Sequence, residues 1–282
     1  MMNISNAFSP HKLLTVLLLA CLLSACGGTT GFAPVVTGVK VQSVQYGKSA
    51  TIYIGGKDLR SSLTVDTGGV CTNPNFASNS TTDTLVLNCV ASQAGDFSLT
   101  VLSPDGQTIY STVVNVPLPQ VTLITGKGSI TLELDPARAP ISTNNFLTYV
   151  SKGFYRSTLF HRVIPNFVVQ GGGYTTGMVK KTDQAAPIEL ESNKGLSNLR
   201  GTLAMARTNL PNSATSEFYI NLIDNLSLDF KNTANPGYAV FGKVIQGMEL
   251  VDAIALEPTG VVGGMSDVPL TEIALSLALQ TK

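Results

Sequence analysis

Phe160-His161-Arg162-Val163-Ile164-Pro165-Asn166-Phe167-Val168-Val169-Gln170-Gly171-Gly172-Gly173 is the stretch on which the reading of this chain turns. A permanently charged guanidinium, Arg162, stands five residues before an aromatic ring, Phe167, and eight before a side-chain amide, Gln170. Both partners lie in an apolar, β-rich setting that runs out into three glycines. An arginine in a strand is most often solvated or ion-paired, and Phe167, Val168 and Leu228 are ordinary core residue types. The run therefore acquires meaning only with the rest of the chain.

At 282 residues the chain is long enough for two ordinary domains. Charged residues make up 13% and the formal net charge is zero, so nothing points to nucleic acid as a partner. Two histidines, His11 and His161, and four dispersed cysteines offer no zinc-site spacing. His161 has no G-x-S-x-G or similar nucleophile turn beside it, which argues against a nucleophilic hydrolase. Gly171-Gly172-Gly173 lacks the Gly-Lys-Ser/Thr continuation of a phosphate-cradling loop. No cofactor, metal or nucleotide is implied.

The first 25 residues read as an address. His11 and Lys12 end a short polar start, and Leu13 to Leu23 form an apolar run of 11 residues. That is too short to span a bilayer but suits a signal-peptide core. The run closes on Leu23-Ser24-Ala25-Cys26, which resembles the lipobox of bacterial lipoproteins. The resemblance implies a signal over 1–25, lipidation of Cys26, and stable anchoring by several acyl chains. Gly27, not Asp, follows the cysteine, which by the same resemblance points to the outer membrane, facing the periplasm. The alternative is an ordinary cleaved signal with Cys26 a bystander.

Residues 26–34 form a small-residue tether. Beyond it, short alternating runs recur at roughly ten-residue spacing. They cover Val35 to Val44, Ala50 to Ile54, Leu63 to Val65, Thr84 to Leu87, Phe97 to Val101 and Thr108 to Val116. Gly55-Gly56, Gly68-Gly69, Asn73-Pro74 and Ser103-Pro104-Asp105-Gly106 read as the turns between them. Period-two strands without a helical stretch predict a small antiparallel sandwich over 35–117. Its pattern and turn placement resemble immunoglobulin-like domains of the IPT/TIG kind. Cys71 and Cys89 are the pair left once Cys21 departs with the signal and Cys26 takes lipid. In an oxidising compartment they are expected to form a disulfide, worth about 3 kcal/mol through loop closure. Their spacing is not the C-x-x-C of a redox pair.

Pro117-Leu118-Pro119 makes a stiff junction, and the pattern restarts after it. Ile130, Leu132 and Leu134 alternate with Ser129, Thr131 and Glu133 as in a half-buried strand. Ser142 or Thr143 can cap a helix carrying Phe146 and Val150 on its inner face, and a second helix is expected from about Met248 to Ile254.

Four blocks follow one another in this region. They are Phe160-His161-Arg162 with Gln170-Gly171-Gly172-Gly173, then Gly201 to Arg207 (GTLAMAR), Ser213 to Asn221 (SATSEFYIN) and Gly237 to Val244 (GYAVFGKV). Together they resemble the cyclophilins, the peptidyl-prolyl cis/trans isomerases, and most closely the bacterial periplasmic ones. The resemblance covers roughly Gln120 to Lys282, and the domain is read as residues 118–282. It implies a closed β-barrel capped by two helices and catalysis of rotation about X-Pro bonds.

The same resemblance assigns roles. Arg162 is the catalytic residue; Phe167, Val168, Tyr219 and Leu228 hold the proline ring; Gln170 and the backbone at Ala206 and Arg207 hold the substrate chain. Tyr238 closes one wall, Glu217 counts among the substrate-binding residues beside Arg162, and His161 is structural. Three positions depart from the common pattern. Val168 stands where many members have Met, and Glu217 where they have Gln, so that a charge replaces an amide near Arg162. Ser227 stands where many have Trp or Phe, which predicts weak cyclosporin binding.

The sequence thus predicts a mainly β, lipid-anchored envelope protein: an immunoglobulin-like sandwich followed by a cyclophilin-type isomerase. Its expected partners are proline-containing unfolded or partly folded polypeptides and, through the anchor, the membrane. A non-catalytic Pro-peptide-binding module and a surface adhesion lipoprotein are the alternatives.

Overall fold

The computed structural model describes residues 33–42, 44–60 and 62–282; the signal segment, Cys26 and most of the tether lie outside them. Runs of β-branched and aromatic residues give seven strands before the prolines at 117 and 119. They are β1 (Val35–Gln42), β2 (Ser49–Lys57), β3 (Thr64–Asp66), β4 (Cys71–Phe76), β5 (Thr84–Ala91), β6 (Gly95–Leu102) and β7 (Thr108–Val116). They form two antiparallel sheets, ordered β1-β2-β5-β4 and β3-β6-β7. Alternate residues of both sheets meet in one buried cluster: Ile52 and Ile54 from β2, Leu85 and Leu87 from β5, Leu99 and Val101 from β6. Strand periodicity puts all of these on one side of each sheet.

Strand β4 corrects the reading of Asn73-Pro74 as a turn. The pair lies inside an edge strand, where the register shifts between Thr72 and Asn75 and Asn73 takes φ +52°. A bulge on an edge strand tolerates a proline because no ladder hydrogen bond is lost there. Cys71 on β4 and Cys89 on β5 are disulfide-bonded, as the cysteine count led one to expect.

The remaining strands are β8 (Gln120–Thr125), β9 (Gly128–Leu134), β10 (Thr158–Leu159), β11 (Arg162–Ile164), β12 (Val168–Gly171), β13 (Tyr174–Thr175) and β14 (Val179–Lys180). They continue with β15 (Thr202–Met205), β16 (Phe218–Asn221), β17 (Val240–Gln246), β18 (Thr259–Val262), β19 (Met265–Pro269) and β20 (Ala274–Gln280). Eleven of these form one curled sheet, ordered β11-β12-β16-β15-β17-β9-β8-β20-β10-β13-β14, and β18 and β19 form a separate hairpin. The ends of the order, β11 and β14, do not pair with each other, so the barrel is open rather than closed as the resemblance implied. Alternating hydrophobicity records which face of a strand is buried; it carries no information on whether the two edge strands meet.

The two faces of the sheet have different tasks. Leu203, Met205, Phe218, Ile220 and Phe241 point into the main core with Phe146 and Tyr155. Their neighbours Ala204, Tyr219 and Val240 point the other way, into a second cluster with Val168. That second face carries the cavity described below.

Helix α1 (Pro140–Ser151) buries Phe146 and Val150, as expected, and α2 (Met248–Ala255) buries Val251 and Ile254. Neither Ser142 nor Thr143 caps α1. Its N-cap is Ala139, and the donors of its first turn go to Glu191: Ile141 N–H and Ser142 N–H to the two carboxylate oxygens at 3.0 and 2.7 Å. The two regions of sheet touch at Tyr46, which is buried. Its hydroxyl donates to Asn144 Oδ1 on α1 at 2.9 Å, and its carbonyl accepts from Gln280 Nε2 on β20 at 2.9 Å.

Candidate active site

Cross-strand register builds the site. Arg162 stands opposite Gln170, Gln170 opposite Tyr219, Tyr219 opposite Ala204 and Ala204 opposite Val240, across four adjacent strand pairs. Residues directly opposite in an antiparallel pair share a face. The eight-residue gap between Arg162 and Gln170 is therefore a hairpin, turned at Pro165-Asn166 with Asn166 in the left-handed region at φ +55°. Phe167 follows that turn and its N–H donates to Ile164 O at 3.1 Å.

The row opens into a cavity of about 140 Å³ lined by Arg162, Phe167, Val168, Gln170, Ala206, Arg207, Tyr219, Leu228 and Tyr238. A cavity of about 150 Å³ holds a benzene-sized ring, so a proline ring fits here. Every residue expected to bind substrate lines this cavity except Glu217, which lines a neighbouring one together with Gln170, Lys180 and Arg207.

Glu217 instead sits behind Gln170. Arg162 Nη1 donates to Gln170 Oε1 at 3.3 Å, and Gln170 Nε2 donates to Glu217 Oε2 at 2.9 Å. The same Oε2 lies 3.2 Å from His161 Nε2; the His161 ring is buried, and its Nδ1 has no hydrogen-bond partner among the described residues. An ionised carboxylate only accepts, so it fixes the Gln170 amide with its NH₂ inward and its carbonyl towards Arg162. Burial opposes ionisation of Glu217, but the hydrogen bond and charge of His161, the hydrogen bond from Gln170 and the charge of Lys180 outweigh it and hold the carboxyl below its usual value. Gly173 leaves the space: a Cβ there would lie 2.6 Å from Glu217.

This depressed value has a consequence for stability. The stabilisation from ionised Glu217 is in place above the ordinary carboxylate value and is lost as pH falls through the lower folded value. Glu217→Gln is expected to flatten the acid limb of a plot of melting temperature against pH. Superimposable acid limbs for parent and variant would show that the carboxylate is not held in this way.

The floor and far wall rest on a polar network that the sequence did not announce. Tyr219 Oη donates to buried Asn198 Oδ1 at 2.7 Å, and Asn198 Nδ2 donates to Asp229 Oδ1 at 2.8 Å. Burial pushes the Tyr219 hydroxyl far above its usual range, so it remains a donor. Asn225 Nδ2 donates to Phe167 O at 3.0 Å and to Asn221 Oδ1 at 2.8 Å, tying the loop of Leu228 to the Arg162 hairpin. Tyr238 N–H donates to Leu228 O at 2.9 Å. Only glycine suits position 237, where φ is +63° and a Cβ would fall 2.6 Å from the Leu228 carbonyl oxygen.

Two further groups were missed. Asp267, on the β18–β19 hairpin, places Oδ2 3.7 Å from Arg162 Nε. Arg207 was expected to act through its backbone, yet its guanidinium lies 4.4 Å over the Tyr238 ring and its Nε donates to Gly237 O at 3.0 Å. Ser227 does not line the ring-sized cavity but the larger one beside it.

Comparison with known proteins accords with this geometry. Residues 120–276 match the family described as cyclophilin type peptidyl-prolyl cis-trans isomerase/CLD. A peptidyl-prolyl cis-trans isomerase of Acinetobacter baylyi is 51% identical over 162 residues, covering 57% of this chain and 85% of that protein. Peptidyl-prolyl cis-trans isomerase A of Dickeya dadantii is 46% identical over 181 residues, covering 64% of this chain and 90% of that protein. Among solved structures, a Cryptosporidium parvum cyclophilin type isomerase superposes with a TM-score of 0.50 at 28% identity, over 58% of this chain and 98% of that one. With the Arg162 row, the ring-sized cavity and these relatives taken together, the chain belongs to the cyclophilin type peptidyl-prolyl cis-trans isomerase family.

Proposed function

We propose that Arg162 carries the isomerase reaction, with Phe167, Val168, Tyr219 and Leu228 seating the proline ring and Gln170, Ala206 and Arg207 holding the chain around it. The observation that carries this reading is the convergence of all eight on one cavity of ring size, with Tyr238 as a wall. The enzyme rotates X-Pro bonds. Amide resonance resists that rotation by roughly 18–20 kcal/mol, and the uncatalysed exchange takes about 10–100 s.

At the twisted transition state the nitrogen lone pair is no longer shared with the carbonyl and can accept a hydrogen bond. A donor aimed there binds the transition state more strongly than the planar ground state. The Arg162 guanidinium is always charged and presents its donors in a fixed fork. Its side chain is 35% exposed, so it can meet a substrate while Gln170 holds it from below. Glu217 and His161 act through Gln170 and do not touch the substrate. Each tenfold of rate requires about 1.4 kcal/mol of transition-state preference. The test is cis/trans exchange of an X-Pro tetrapeptide followed by NMR with the full chain. Exchange at the uncatalysed rate, with the protein folded, would overturn the reading.

The same proposal places the enzyme at the cell envelope, anchored by lipid on Cys26 and facing the periplasm from the outer membrane. There it assists folding of secreted and outer-membrane proteins. The sheets between Val35 and Val116 are read as an immunoglobulin-like domain of the IPT/TIG kind, holding the isomerase of residues 118–282 away from its tether. The Cys71–Cys89 disulfide supports this location, since such bonds persist in oxidising compartments. Cells grown with labelled palmitate are expected to yield labelled protein, and Cys26→Ala should abolish the label. An unlabelled parent protein would rule out the anchor.

A further inference from the structure

Beside the ring-sized cavity lies a second one of about 350 Å³, and the two share Arg207 and Tyr238 as a common wall. Ser227, Asn209, Asp229, Lys231, Thr233 and Asn235 contribute to its polar lining. A peptide advances at most about 3.3–3.6 Å per residue, so a chain that leaves the seated proline on the Tyr238 side reaches this adjoining cavity within about one to three residues. Ser227 puts only a hydroxymethyl group on the wall of this cavity.

The charges in the lining are uneven. Asp229 is committed inward: its Oδ1 accepts from both Asn198 N–H and Asn198 Nδ2, at 2.7 and 2.8 Å. Lys231 is exposed and forms no ion pair among the described residues. Arg207 spends Nε on Gly237 O and Nη1 on Thr208 O, which locks its guanidinium over Tyr238 and leaves Nη2 without a partner among the described residues. The lining therefore offers one fixed and one exposed, unpaired cation against one carboxylate whose Oδ1 is already occupied.

We infer that this cavity is a substrate subsite for an acidic side chain one to three residues from the isomerised proline. It rests on the seating of proline against Tyr238 argued above. Arg207 marks the near rim and Lys231 the far one, so a carboxylate is drawn in while an ammonium group is repelled.

The test compares kcat/KM for peptides of one sequence carrying Glu, Gln or Lys at each of the three positions on either side of a central proline. The full chain and Lys231→Glu are measured in parallel by NMR exchange. At one position the parent is expected to prefer Glu over Lys about three- to fivefold, the scale of an exposed charge pair. Lys231→Glu should erase or invert that ratio, and about 1 M salt should remove it. Equal rates for Glu, Gln and Lys at every position, with the neutral peptide turned over normally, overturn the subsite alone. Failure to turn over any peptide removes the isomerase reading and the subsite with it. A Glu preference unchanged in Lys231→Glu also overturns the proposal, because the selectivity would then arise elsewhere.

Discussion

Arg162→Ala is expected to lower kcat/KM for X-Pro exchange by about 10²- to 10³-fold, the usual cost of removing one preorganised donor from a transition state. The melting temperature should hardly change. Arg162 lies at the open rim of its cavity with a third of its side chain exposed, so water replaces it against Gln170 Oε1. Substitutions of this kind usually move stability by no more than about 0.5 kcal/mol. Arg162→Lys should fall between parent and alanine variant. It keeps the charge but loses the planar fork that aims fixed donors at the proline nitrogen and Gln170 at once. Gln170→Leu should cost less than Arg162→Ala, because it removes a hydrogen bond to the guanidinium and a contact to the substrate chain but leaves the guanidinium donors in place. NMR exchange on folded variants gives the ordering directly. An alanine variant within threefold of the parent would show that the ring-sized cavity works without its cation.

The roles at this site came from the family resemblance, and short-range periodicity accounts for why several of them share one face. Arg162 and Gln170 are a cross-strand pair of one hairpin, and Tyr219 extends the row because β16 pairs with β12. A period of two is enough to place Val168 with Gln170 and Val169 in the core. Leu228 ends a single 3-10 turn (Leu226–Leu228) and Tyr238 lies in a loop, so no strand period accounts for either. What stayed hidden depends on contacts between distant segments. Asp267 reaches Arg162 from another hairpin, and Asn198 reaches Tyr219 from a loop. An isolated Asp or Asn in a loop reads as solvated in any sequence. The Arg207 side chain was overlooked for the same reason, since its partner Tyr238 is set by the fold. Glu217 was noted as a charge near Arg162, and the geometry adds that it acts through the Gln170 amide. Barrel closure was misjudged because strand pattern does not encode edge pairing, and Asn73-Pro74 because the same dipeptide serves a turn or an edge bulge.

Glu191→Leu should lower stability by about 2–4 kcal/mol, a large effect for one change of a charged residue away from the site. The first turn of a helix leaves backbone donors without partners. In α1 the first residue, Pro140, has no N–H, and Thr143 N–H already reaches Ala139 O at 3.0 Å. The donors left over are Ile141 N–H and Ser142 N–H, and Glu191 accepts both, together with the Ser142 hydroxyl at 2.8 Å. Its charge also complements the positive end of the helix dipole. Glu191 is only 5% exposed, so leucine in its place strands these donors where water does not readily replace the carboxylate. For a protein of this size the loss corresponds to a fall in melting temperature of about 4–16 °C. Glu191→Gln retains one acceptor oxygen but turns an NH₂ towards a donor, so it should lose about half as much. Calorimetry on parent, Gln and Leu proteins tests the ordering. Equal melting temperatures for all three would mean that α1 is held by its buried Phe146 and Val150 face alone and that the distant carboxylate contributes nothing.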